Sequence, residues 1–415
     1  MLFYNIGIRA MCLGIRTASL WSCKMRKWLN GRKGLFERLS KAIAPNDRVV
    51  WVHCSSLGEF EQGRPVIEEL RRLHPEYKIL LTFFSPSGYE IRHNYEGADW
   101  VFYMPADTPR AARRFVAAVH PEKAVFVKYE FWLNHLAALR RSGCDTYLIS
   151  AIFRPKQVFF KPWGVNFRRA LRGLRHLFVQ DEASARLLSG IGVKEVTIAG
   201  DTRFDRVAAL AAAAPTVEAI ERFAAGGKLF LAGSTWAPDE ELLLEVIDRN
   251  PRLKFVVAPH EMDEGRIAHL VARCKGGAVR YTKLSAESDL TAPQLLIIDT
   301  IGLLSSAYRY ATYAYIGGGF GVGIHNTLEA ATFGLPIAFG PNYERFREAR
   351  EMVALGCAAS VADAAELNLW LTRLESDREA YDFCSHCARS YVERNCGATQ
   401  TILEEVFGER GEKSE

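Results

Sequence analysis

Thirteen short apolar runs set the limits on what this chain can become. Seven precede residue 200 (48–54, 78–84, 99–103, 123–127, 145–150, 175–179 and 195–199), and six follow Gly227 (229–232, 253–258, 277–281, 295–298, 313–316 and 336–339). Each is followed by helical periodicity or a short connector. Apolar strands alternating with helices imply parallel sheets covered on both faces. The Ala-rich stretch 207–227, with Pro215 and the pair Gly226-Gly227, divides the two sets as a helix plus linker. The expectation is two doubly wound α/β domains, 46–206 and 228–390, with a C-terminal helix and tail at 391–415. The length of 415 residues agrees, being too great for one ordinary core.

Charge is unevenly spread. Residues 1–45 hold nine Lys or Arg against the single Glu37, so the net +5 of the whole leaves the remainder slightly acidic. A basic excess confined to one end argues against nucleic acid as a partner of the body. Residues 1–23 are apolar but broken by Arg9 and Arg16, too polar for a clear spanning helix and too apolar for a free tail. Lys24, Arg26, Lys27, Arg32 and Lys33 follow, interleaved with Trp21 and Trp28. The segment 1–45 reads as a membrane-associating amphipathic helix with a basic, Trp-bearing collar, suited to an anionic cytoplasmic surface. The alternative is a surface helix packed on its own protein. Nine scattered cysteines fit a reducing compartment, and Cys384, His386 and Cys387 fit a helix face better than a zinc site.

The second domain holds the most unusual stretch, residues 317–341. An apolar strand runs into glycines at 317, 318, 319, 321 and 323, and a helical pattern follows through Leu328 and Ala331. A glycine-rich turn opening a helix would offer free amides to an anion, and Glu329 would offer a carboxylate to ribose hydroxyls. Other strand-end residues, Ser234, Thr235, Pro259, His260, Gly318, Gly319, Phe320, Gly323, His325 and Asn326, supply amides, hydroxyls and imidazoles suited to phosphate and sugar. No GxxxxGK[ST] occurs, and no GxGxxG follows the first strand of either domain. In the first domain the first strand runs into Ser55-Ser56-Leu57-Gly58-Glu59, with Gly58 tightening the turn. Glu59 at that strand end is either a helix N-terminal charge or a general base. Glu130 ends the fourth strand as a second such carboxylate. Ser85 and Ser87 after the second strand and Arg154 after the fifth complete the rim. Ligands of paired open α/β domains are expected at the strands' carboxyl ends, in a central cleft.

Taken in order, Ser56-Leu57-Gly58-Glu59, Ser85-Pro86-Ser87-Gly88, Glu130-Phe131-Trp132, Phe204-Asp205, Ala232-Gly233-Ser234-Thr235 and Gly323-Ile324-His325-Asn326 resemble the 3-deoxy-D-manno-octulosonic acid (Kdo) transferases of lipopolysaccharide assembly. The resemblance implies a GT-B glycosyltransferase of two Rossmann-like domains. It implies CMP-Kdo as donor, a lipid A precursor as acceptor, and work at the cytoplasmic face of the inner membrane. On that resemblance Glu59 is the catalytic base, the second domain binds the donor, and no metal or cofactor is needed. Ser56, Gly58, Arg64, Ser85, Ser87 and Arg154 are then candidates for the acceptor. The chain departs from the family pattern at Lys128, Leu133, Trp236 and Val257-Ala258. Two other classes share the architecture or the anchor: a UDP-sugar transferase or 2-epimerase, and a non-catalytic lipid-binding protein at a membrane surface.

Overall fold

The structure, a computed structural model, describes residues 1–128 and 131–408. Glu130 and the tail from residue 409 lie outside the described residues. The chain divides into two compact units, Met1–Arg206 together with the segment from Cys396, and Val207–Asn395.

In the first unit seven parallel strands, β1 (Val49–Cys54), β2 (Lys78–Phe83), β3 (Trp100–Tyr103), β4 (Lys123–Val127), β5 (Asp145–Ala151), β6 (His176–Val179) and β7 (Val196–Ile198), are ordered β3-β2-β1-β4-β5-β6-β7. In the second, β8 (Leu229–Thr235), β9 (Lys254–Pro259), β10 (Ala278–Arg280), β11 (Leu295–Ile297), β12 (Tyr313–Ile316), β13 (Ile337–Phe339) and β14 (Ala358–Ser360) are ordered β10-β11-β9-β8-β12-β13-β14. All thirteen expected strands form. The fourteenth, at the sheet edge, reads Ala-Ala-Ser; it has no β-branched residue to announce it and exists through its pairing with β13. Strand β1 shows why the runs are unbroken: Val49 and Trp51 pack into one apolar layer, Val50 and Val52 into the other. Each such buried side chain contributes roughly 1.5–3 kcal/mol.

The helices of the first unit are α1 (Leu2–Ala18), α2 (Cys23–Asn30), α3 (Leu35–Ala42), α4 (Leu57–Leu73), α5 (Pro86–Arg92), α6 (Pro109–Val119), α7 (Leu133–Ser142) and α8 (Val165–Leu171), among others. None of the described helices is long and apolar enough to cross a membrane. Helix α1 is docked by one face: Tyr4 donates to Asp107 Oδ2 at 2.6 Å, Asn134 Nδ2 donates to Asn5 Oδ1 at 2.9 Å, and Ile8 is buried. Its other face leaves Leu2, Phe3, Ile6 and Leu13 in solvent, continued by Leu20 and Trp21. The collar needs correction. Trp28 is buried, and Arg32 sits over its ring at 3.7 Å while donating to the carbonyls of Trp28, Phe84 and Met104. Burial lowers that guanidinium to about 9, so Arg32 is an internal tie, whereas Lys24, Arg26 and Lys33 remain exposed.

At the other end the C-terminal helix begins later than the expected residue 391. One helix stops at Asn395, Gly397 takes φ +106°, and a separate helix, Ala398–Phe407, packs Ile402, Leu403 and Val406 into the β1 layer of the first unit. Asp205 fastens it, accepting from the amides of Gly397 and Thr399 at 2.6 and 2.7 Å.

Candidate active site

Strand order reverses between β1 and β4 in the first unit and between β8 and β12 in the second, and crevices outside such switch points are where open α/β sheets bind ligands. Each has its own set of candidate residues.

At the first, His53 is fully buried near the end of β1. The indole Nε1 of Trp132 donates to its Nε2 at 3.1 Å, so the ring proton sits on Nδ1, which donates to Thr82 Oγ1 at 2.9 Å. Thr82 also accepts from Trp51 Nε1 at 2.7 Å. Burial, assisted by nearby His135, holds His53 neutral with a pKa of about 3. The next turn carries Ser56, whose hydroxyl donates to the Glu59 carboxylate in the first turn of α4. The carbonyl of Ser55 accepts from the amides of Phe84 and Ser85 at 3.2 and 2.7 Å, joining the β1 and β2 loops. Ser85 caps α5, accepting from the Ser87 amide at 3.3 Å. Ser56, Glu59, Ser85 and Ser87 therefore gather at adjacent strand ends, and the Trp132 ring, 4.3 Å from that of Phe84, lies against the same loops. Gly58 does not shape a turn. It has ordinary helical dihedrals inside α4, and a Cβ there would find only Ser56 Oγ, at 3.8 Å. Arg64 lies further along α4 and is paired with Glu68 at 2.7 Å. The amide of Arg154 is held by Gln157 at 2.9 Å while its side chain is exposed.

At the second switch point the amide of Gly317 donates to Gly233 at 2.9 Å, bringing the ends of β8 and β12 together. Ser234 adopts φ +54°, a strained value for a residue with a side chain. His260, just beyond the buried Pro259, stacks against both Trp236 and His325, with ring centroids 4.8 and 4.2 Å away. Trp236 Nε1 donates to His325 Nε2 at 2.9 Å. Burial and then His260 push the His325 pKa down to about 4.

Two sequence expectations change here. Thr235 is fully buried and its hydroxyl donates to Glu240 at 3.0 Å, which removes it from any phosphate. The glycines do not open a helix: the next one, Leu328–Thr332, has five residues and begins after Thr327. Much of the loop's hydrogen bonding closes on itself. Gly321 and Gly323 donate to the Gly318 carbonyl, and Gly318 donates to Asp239 Oδ2 at 2.9 Å. The amides of Gly319 and Phe320 donate to no described residue. Gly319 has to be glycine because a Cβ would lie 2.5–2.7 Å from the backbone of Gly340. Phe320 walls a cavity of about 170 Å³ with Trp236 and Val322. Glu329 accepts from Ser305 at 2.7 Å and from the side-chain amide of Asn326 at 3.0 Å, which orients its carboxylate. Sequence reading missed three supports of this loop. Asp239 anchors Gly318, Asn342 clamps the Gly319 and Gly321 carbonyls, and the Arg345 guanidinium fills the space a Cβ on Gly323 would take. Only Asp239, at the third position of a helix, carried a local signal.

Comparison with known proteins bears on both units. Residues 31–206 match a family model described as 3-deoxy-D-manno-octulosonic-acid transferase. A transferase of that name from Bordetella pertussis is 29% identical over 410 residues, covering 93% of this chain and 94% of its own. The chain is thus similar to the Kdo transferases, the family model matching residues 31–206 of its 415. A Kdo transferase from Aquifex aeolicus is 24% identical, with 79% of this chain and 86% of its own aligned. Among solved structures, UDP-GlcNAc 2-epimerase from Neisseria meningitidis bound to UDP-GlcNAc superposes with a TM-score of 0.61 at 15% identity, covering 86% of this chain and 99% of its own. Acinetobacter baumannii MurG gives 0.54 at 13%, covering 87% and 99%. These two speak for the GT-B-like fold alone. The departures from the Kdo transferase pattern at Trp236 and Leu133 now have local structure: Trp236 stacks on His260, and Leu133 starts α7 with its amide donating to the Tyr4 hydroxyl at 3.4 Å. Among the described residues no cluster of His, Cys, Asp and Glu could hold a metal ion, and the Cys384 and Cys387 thiols donate to the carbonyls of Gly356 and Leu355.

Proposed function

We propose that the protein transfers Kdo from CMP-Kdo to a lipid A precursor in lipopolysaccharide biosynthesis, with inversion at the anomeric carbon. The observation that carries the chemistry is the Ser56–Glu59 pair at the β1/β4 switch point. An alcohol is a poor nucleophile at neutral pH, and Glu59 takes its proton as it attacks the anomeric carbon. The Ser56 hydroxyl orients the carboxylate. In the second unit the Gly319 and Phe320 amides and Ser234 meet the donor phosphate, and Glu329 with Asn326 meets ribose hydroxyls. Thr235 has no part in it. Negative charge leaving with CMP is thus met by dipoles already in place.

The outward stripe of α1, with Lys24, Arg26 and Lys33, rests on the anionic cytoplasmic face of the inner membrane, lying in the interface rather than crossing it. Incubation of the purified protein with CMP-Kdo and a lipid A precursor, read by mass spectrometry, tests the reaction. The acceptor should gain the mass of at least one Kdo, and CMP but not UDP should inhibit. Inhibition by UDP alone would return the protein to the UDP-sugar enzymes, and absence of turnover would leave a lipid-binding protein.

A further inference from the structure

A cavity of about 300 Å³ lies between α1, α7 and α8, lined by none of the residues assigned to the reaction. Leu136 and Leu174 make its walls apolar, Asn5 makes one edge polar, and Arg140, Arg141 and Arg169 line it. None of these three guanidinium groups has a hydrogen bond or ion pair with another described residue. The basic excess is therefore not confined to the first 45 residues. Between 131 and 180 there are nine Lys or Arg and one acidic residue, Asp145, a block hidden in the chain total by acidic residues elsewhere.

Arg140 and Arg141 end α7 and Arg169 ends α8, positions where positive charge suits the helix dipole. The dipole explains each place. It does not explain why the ends of two helices converge on one cavity, nor the space left for them: Arg140 Cδ lies 3.2 Å from where a Cβ on Gly173 would be. The cavity also borders exposed apolar surface. Tyr4 meets Phe167 edge-on at 6.2 Å, and the residues flanking these two in sequence include exposed Leu2 and Phe3 on one side and exposed Trp163 and Val165 on the other. A diffuse anionic surface needs no cavity. A phosphate on an apolar stem uses all of these features.

We propose that this cavity binds the phosphate headgroup of an anionic phospholipid, seating α1 on the bilayer. The inference rests on the membrane-surface part of the proposed function and not on the reaction. Its test titrates the full-length protein with monomeric dihexanoyl-phosphatidylglycerol, with inorganic phosphate as competitor. Binding should saturate, and Arg140→Gln/Arg141→Gln/Arg169→Gln should weaken it by at least about tenfold. Ala137→Phe, which fills the cavity without altering charge, should do the same, while Lys24→Gln/Arg26→Gln/Lys33→Gln should not. Thermal melts confirm folding, and Ala137→Phe with Arg169→Gln alone decides the matter if the triple variant melts early. Equal loss in the collar variant, unaltered binding by folded Ala137→Phe, or competition by phosphate as strong as by the lipid would each overturn the proposal. Turnover on a detergent-dispersed acceptor, measured separately, should survive in the cavity variants, so failure of the lipid site and failure of the reaction give different results.

Discussion

Glu59 and His53 lie six positions apart in the chain, the first the proposed base and the second a buried structural group. Glu59→Gln keeps size and polarity and removes basicity; turnover should fall by about 10²–10⁴-fold, with CMP affinity and melting temperature nearly unchanged. Loss of activity only through unfolding would leave Glu59 as a helix-terminus charge. His53 makes a pH prediction. Its folded pKa of about 3 is below its unfolded value near 6.5, so the unfolded chain takes up a proton first as pH falls. The neutral His53 contributes fully above that unfolded value, and its contribution is lost as pH falls from 6.5 toward 3, at up to about 1.4 kcal/mol per pH unit. His53→Gln, whose amide oxygen can still accept from Trp132, should show a smaller fall in melting temperature between pH 7 and pH 5 than the wild type. An identical fall in both would mean that other groups govern acid lability. Glu329→Ala should weaken CMP binding by about 1.5–3 kcal/mol, read by calorimetry, if its oriented carboxylate meets the ribose.

Helix α1 separates into two faces with separate consequences. The docked face is built on Asp107. Burial alone would raise that carboxyl, but its hydrogen bond and electrostatic interaction with His135, and hydrogen bonds from Tyr4 and the Asn134 amide, outweigh it and hold it below the ordinary range. Tyr4→Phe removes one bond to a charged acceptor and should cost about 1.5–3 kcal/mol in denaturant unfolding. The outward face should behave oppositely: Phe3→Ser/Leu13→Ser/Trp21→Ser should reduce recovery with anionic vesicles and leave unfolding unchanged. A triple variant that still pellets fully with vesicles at high salt would remove α1 from the membrane surface. Simple deletion of residues 1–23 is the poorer experiment, because it also strips Tyr4 and Asn5 from Asp107 and Asn134.

At the scale of the whole molecule, the first unit is completed by residues from the far end of the sequence. The helix Ala398–Phe407 supplies Ile402, Leu403 and Val406 to the layer beneath β1. Ending the chain at Asn395 should therefore uncover that layer and lower the melting temperature. Asp205→Ala, which removes only the cap, should cost about 0.5–2 kcal/mol. Equal melting of full-length and shortened protein would show that the helix is dispensable.

The run of apolar strands and the two doubly wound sheets were legible in order along the chain, because burial on both faces writes itself into local composition, and the motifs that resemble those of the Kdo transferases were legible beside them. What lay beyond it was adjacency. Nothing local to residues 55–59 says that β1 neighbours β4, or that Ser85 will hang from the Ser55 carbonyl. The same holds for Thr235: its residue type suits a phosphate, but its register in β8 turns it inward to Glu240. Glycines 317–323 announced a close backbone approach, yet only the fold shows that Gly340 and Arg345 take up much of that space. Trp28 and Arg32 read as a membrane collar by composition and became core by packing. Period and composition decide which segments become strands and helices; long-range pairing decides which of their side chains remain free to meet a ligand.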